Sequence, residues 1–147
     1  MTQLAFWDVK ISKETRRKAE KLMSMYKNIE AIIEAKRLDL NAKTTATYEP
    51  MEGGKTNAFH SETERLTLLK LQIEDYERIK RKLDYVFYSL KPIQQKIWEQ
   101  RYLQGKYDVD VHNDLKIPPR TYYKLKREMI AVVAEAFGLQ NKDIKKL

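Results

Sequence analysis

The residues able to do chemistry are few, and most are better explained without it. His60 and His112 are the only histidines among 147 residues, and there is no cysteine. Disulfides, thiolate zinc sites and cysteine nucleophiles are therefore excluded. The two histidines fall in different segments, with no metal-ligand spacing between them. The acidic groups Glu62/Glu64 and Glu74/Asp75/Glu77 are of a type that does acid–base or metal work, but capping and solvated helix faces account for them. Gly53-Gly54-Lys55-Thr56 lacks the first glycine and the preceding strand of a phosphate loop. No catalytic residue, metal or cofactor is expected.

One cluster is left, and it is of a single sign. From Lys116 to Arg127 the charged residues are Lys116, Arg120, Lys124, Lys126 and Arg127, with no acid among them. Residues 61–90, by contrast, hold six basic and six acidic groups. The whole chain carries a formal charge of +8, and a positive surplus points to an anionic partner, most often nucleic acid. Cations at the start of a helix oppose its macrodipole and cost stability, which favours a functional reason for them. Arg120 can grip guanine in the bidentate manner, and Thr121 can bond a phosphate or a base. Tyr123 and Lys124 lie opposite the Leu125–Met129 stripe and can reach DNA. Lys126 and Arg127 are expected at phosphates, and Lys116 is expected among the DNA-binding residues.

These side chains need elements to carry them. With four Gly, four Pro and a bulk of good helix formers, the chain reads as all-α. Residues 12–40 show one helical period through Leu22, Tyr26, Ile29, Ile33 and Leu40, with Ser12 as the N-cap. Residues 41–60 break the pattern and are expected to be a loop. Ser61-Glu62-Thr63-Glu64 has the capping-box form, which places a helix start there. The seam Leu66, Leu69, Ile73, Tyr76, Lys80, Leu83, Phe87, Leu90 alternates steps of three and four, as in a coiled coil. Two such helices predict a long antiparallel hairpin over residues 1–90, packed within the chain or against a second copy.

Pro92 stops the second helix, and shorter elements occupy 91–139. Pro92–Leu103 is a helix closed by Gly105. Asp108–Leu115 is a second, with Asp108 as its cap. Lys116-Ile117-Pro118 is a tight turn, and Pro119 opens a helix that Gly138 ends. Its inward stripe reads Tyr122, Leu125, Met129, Val132, Val133, Ala136. Residues 140–147 form a basic tail. Three helices with a short turn before the last fit the helix-turn-helix plan, in which the final helix enters the major groove.

The pattern Leu90, Tyr102, Gly105, then Asp110-Val111-His112-Asn113-Asp114-Leu115-Lys116-Ile117-Pro118, then Thr121-Tyr122-Tyr123-Lys124 resembles the ArpU family of phage transcriptional regulators and the related RinA-like activators of late genes. The C-terminal part of that family looks like region four of bacterial sigma factors. Ala134-Glu135-Ala136-Phe137-Gly138-Leu139 is similar to the family's ending, and Thr44-Thr45-Ala46-Thr47-Tyr48 before a long helix is similar to its middle. Three residues depart from the pattern. His112 replaces a small residue between the motif helices, Lys116 replaces the turn glycine, and Pro118 replaces a serine cap. At Lys116 a non-glycine residue is then expected near left-handed backbone angles.

The resemblance implies a DNA-binding regulator that acts at promoters of phage packaging, morphogenesis or lysis genes. Double-stranded DNA would be its partner, and the hairpin would dimerise or contact bacterial RNA polymerase. A helix-turn-helix packaging protein of the terminase small-subunit type is the alternative. No apolar run is long enough to span a bilayer, and residues 1–8 lack the form of a signal peptide, so a cytoplasmic location is expected.

Overall fold

The computed structural model describes residues 11–46 and 56–139. Six helices make up nearly all of them, and no strand occurs among the described residues. They are α1 (Lys13–Met25), α2 (Ile29–Ala46), α3 (Thr56–Ser89), α4 (Pro92–Trp98, continued by a π-helical turn Glu99–Leu103), α5 (Asp108–Asp114) and α6 (Pro119–Ala136). None of them is long and apolar enough to cross a membrane. The chain divides into two compact units. Asn28–Arg81 is one, and residues up to Lys27 together with those from Lys82 onward form the other.

Three boundaries differ from expectation. The helix expected over 12–40 is broken at Tyr26-Lys27-Asn28, between α1 and α2. The buried positions explain the break. Ala19 and Met23 lead to Ile29 and Ile33, and the step of six from Met23 to Ile29 is no helical period. Ala19 and Met23 belong to one unit and Ile29 and Ile33 to the other, so the turn serves two stripes where the apolar period suggests a single one. Tyr26 at the break is anchored, donating to Asp84 and lying 5.5 Å from the rings of both Phe87 and Trp98.

The expected loop over 41–60 is shorter, because α2 runs to Ala46 and α3 begins at Thr56. Residues 47–55, including Gly53-Gly54-Lys55, lie outside the described residues, as does the tail from 140. Ser61 therefore sits inside α3, where its N–H belongs to a helix already under way, and the capping-box pattern does not mark a helix start. The expected division at residue 90 is also displaced. The unit holding α4, α5 and α6 includes α1 and the end of α3 from Lys82.

In the unit Asn28–Arg81, Ile33 and Ile73 are buried, and the seam positions Leu66, Leu69, Tyr76 and Lys80 are half-buried. Lys36 donates to Gln72 at 3.2 Å and lies over the Tyr76 ring. Arg37 pairs with Glu34 and Glu77. Leu38, Leu68 and Leu71 face solvent.

The second unit is built on α1, α4 and α6. Trp98, Met23, Leu83, Ile97, Tyr122, Met129, Val111 and Val133 are its largest fully buried side chains. Trp98 donates its indole N–H to the Met23 carbonyl at 3.0 Å, which satisfies a buried polar group. Gln94 ties α4 to α6 through the Leu125 carbonyl at 3.2 Å. The π turn is closed by a bond from the Gln104 N–H to the Glu99 carbonyl at 2.9 Å. Its extra residue per turn re-aims the side chains beyond Trp98: Tyr102, like Trp98, meets α1, while Arg101 meets α5. Gly105 takes φ +76° after α4 and Gly138 takes φ +68° after α6, both as expected of helix-ending glycines. On α6 the burial is wider than the expected stripe. Ile130, Ala131 and Ala134 are buried as well, while Ala136 is exposed, because α1 packs on a second side of the helix.

Candidate nucleic-acid interface

The basic cluster is carried by α5, α6 and the turn between them. The end of α5 is wound into a tight cap, with the Leu115 N–H on the Val111 carbonyl at 2.9 Å and the Ile117 N–H on the His112 carbonyl at 3.0 Å. This closure needs a left-handed residue between them, and Lys116 takes it with φ +57°. A side chain there costs about 1–2 kcal/mol relative to right-handed angles. The position occupied by glycine in the resembling pattern is thus left-handed here too, with a cation in place of glycine.

Two prolines then launch α6. Pro118 is its N-cap at φ −60°, ψ 143° and makes no side-chain cap bond, and Pro119 is the first helical residue. The pre-set φ of proline favours that start, and Pro119 has no N–H to satisfy. The Tyr122 N–H reaches the Pro118 carbonyl at 2.9 Å. The N–H groups of Arg120 and Thr121 thus stand at a helix N-terminus without a side-chain cap, an arrangement suited to phosphate oxygens.

Below this tip Val111, His112 and Tyr122 are buried. His112 packs 5.5 Å from the Tyr122 ring, so the larger residue between the two helices is met by an aromatic partner. Tyr123 is 39% exposed. Its ring stands edge-on to Tyr122 at 5.0 Å and close to His112 at 6.3 Å, which fixes its direction.

Six of the seven expected contact residues lie on the outside. Lys116, Arg120, Thr121, Tyr123, Lys124 and Arg127 are all exposed. Arg120, Lys124 and Arg127 follow steps of four and three and so share one face of α6. None of the four exposed cations has a carboxylate partner among the described residues.

Lys126 is the exception, and its expected role at phosphates is corrected. Its side chain is only 12% exposed. It lies four residues after buried Tyr122, on the same inward face. Its ammonium donates to Asp108 Oδ1 at 3.0 Å and Oδ2 at 3.1 Å, and stands 3.6 Å from Glu20. Asp108 also accepts from Arg101 at 3.0 Å and from the Tyr122 hydroxyl. Glu20 accepts from the Tyr102 hydroxyl at 2.6 Å. This cluster joins α1, α4, α5 and α6.

Asp108 is therefore not the cap of α5. Tyr107 holds that position without a side-chain bond, and Asp108, in the first turn, is turned inward. Burial pushes its carboxyl up, but hydrogen bonds from Tyr122 and Lys126 and the charges of Lys126 and Arg101 outweigh burial and hold it below the usual range. Burial, followed by the hydrogen bond and charge of Asp108, pushes the Tyr122 phenol up, so the phenol stays a donor.

The positioning residues Glu20, Arg101, Tyr102 and Asp108 were not legible as a group, because they come from separated segments. The step of four from Tyr122 to Lys126 was the one local signal that Lys126 points inward. No family model matches the chain, and neither the curated proteins nor the solved structures give a match.

Proposed function

We propose that the chain is a sequence-specific, double-stranded-DNA-binding regulator of transcription, with α5 and α6 as a helix-turn-helix whose second helix enters the major groove. The observation that carries the reading is the bare basic face of α6. Lys116, Arg120, Lys124 and Arg127 are exposed without carboxylate partners among the described residues, and Arg120 stands in the first turn of a helix that has no side-chain cap. Positive charge in that first turn opposes the macrodipole, so Arg120 weakens the isolated helix and is repaid when phosphates arrive. In this reading Arg120 and Lys124 meet base edges, Thr121 and Tyr123 meet bases or sugars, and Lys116 and Arg127 meet phosphates.

The residue pattern shared with ArpU-like regulators extends the proposal to an activator of phage late genes. The α2–α3 unit is then the hairpin that dimerises or contacts RNA polymerase, and exposed Leu38, Leu68 and Leu71 supply apolar surface for a second copy.

The test is a mobility shift on the late promoter of the genome that encodes the chain, with Arg120→Ala and Lys124→Ala. Removing either base-reading side chain should cost about 1–3 kcal/mol of affinity and relax discrimination at its position. Unchanged binding by both variants overturns the assignment of α6. A solution mass of eight or more subunits would favour the packaging-protein alternative.

A further inference from the structure

The outward side of α1 carries charge that the reading of α6 leaves unused. Lys13, Arg17 and Lys21 are spaced by four, form one row along the helix, and are exposed. Arg16 is exposed beside them. None of these four has a carboxylate partner among the described residues. The acids of α1 are already engaged. Glu14 pairs with Lys18 at 3.3 Å, and Glu20 is drawn toward Tyr102 and Lys126. Lys13 and Arg16 stand in the first turn, where the macrodipole is already positive, so these two cations oppose it.

The row is held in fixed relation to α6, because both helices belong to one compact unit and pack on each other. Glu20 meets Lys126 at 3.6 Å, and the Thr15 hydroxyl donates to the Leu139 carbonyl just past α6 at 3.4 Å. On α6 the face of Arg120, Lys124 and Arg127 continues into Ala131 and Ala134, which are fully buried. The basic face of α6 thus passes under cover after Arg127, and α1 is the main element packed on the helix. The exposed cations Lys13, Arg17 and Lys21 are thus carried by the helix that packs on α6.

We infer that Lys13, Arg17 and Lys21 form a second phosphate-gripping surface, extending the duplex contact of α6 onto the flanking backbone. The inference rests on the reading of α6 as a DNA-binding helix. A rigid row of bare cations beside a groove-reading helix suits the regular charge of a duplex, and phosphate contacts of this kind set affinity and register without reading sequence.

The full chain is titrated with a mixed-sequence B-form duplex over a series of salt concentrations. Arg17→Gln/Lys21→Gln is compared with Lys70→Gln/Arg81→Gln, which removes two exposed cations of the other unit. The logarithmic salt slope should become shallower by about 0.9 for each phosphate that the α1 pair no longer neutralises, and stay parental in the control pair. The ratio of affinities for promoter and mixed duplex should not move. A parental slope in the α1 pair, or an equal loss in the control, overturns the inference alone. A full chain that binds no duplex overturns the α6 reading together with it.

Discussion

The α2–α3 unit and the tip of α6 use the same kinds of cation in opposite ways. Arg37, Arg65 and Arg78 each pair with an acid three residues earlier, namely Glu34, Glu62 and Asp75. On α6 the residues three and four before Arg120, Lys124 and Arg127 are Ile117, Lys116, Thr121, Arg120, Lys124 and Tyr123, with no acid among them. A helix settles its own charges through these spacings. In the first region these three arginines are matched at home. In the second they stand without a carboxylate partner among the described residues.

Lys126 gives the largest test of that contrast outside DNA binding itself. It is a cation of α6 whose acids come from other elements, so its loss should weaken the fold and leave the salt dependence of binding intact. Lys126→Met should cost about 2 kcal/mol in urea unfolding, less than for a fully buried pair because Asp108 keeps Arg101 and Tyr122. A stable variant with a shallower salt slope would return Lys126 to the DNA-facing set.

Acid should sharpen the same point with a smaller effect. The Asp108 carboxyl is held below its ordinary value in the folded chain. Its contribution to stability is therefore complete above the unfolded value of about 3.9 and is lost as pH falls from there through the lower folded value. Asp108→Asn should lower stability at neutral pH and flatten that part of the acid loss. An unchanged stability profile between about pH 5 and pH 2 would contradict the assigned cluster.

The smallest change is expected at the self-matched charges. Arg78 is exposed and, among the described residues, pairs with Asp75 alone at 3.1 Å. Arg78→Ala should shift stability by about 0.5 kcal/mol or less and leave the salt slope of DNA binding alone. A loss as large as that of Arg120→Ala would mean that net charge, rather than the α6 face, governs association.

Much of the fold was legible because its signals are local. Gly105 and Gly138 end helices, Pro119 starts one, and the seam from Leu66 to Leu90 falls on the less exposed side of α3. The left-handed turn at Lys116 was expected from the resemblance, whose pattern has glycine at that position. The break at Tyr26 was hidden, because Leu22, Tyr26 and Ile29 supply a false continuous period while the buried residues are Ala19, Met23 and Ile29. Ser61 misled for a related reason. A capping box is an option open to a chain end, and it has no force inside a helix that starts earlier.

The amino-acid order alone left Arg120 and Arg127 without an acid three or four residues away on α6, whereas Lys124 has Glu128 four residues on, and only the packing of Gln94 against Glu128 turns that acid elsewhere. The order also determined the turn before α6, since two prolines and a tight cap leave the backbone few choices. Only the tertiary structure decided that Lys126 faces inward to Asp108 and Glu20, and that α1 lies against α6 with its own cations outward. Those pairings join residues about twenty to a hundred positions apart, and their partners are set by which helices pack rather than by any local spacing.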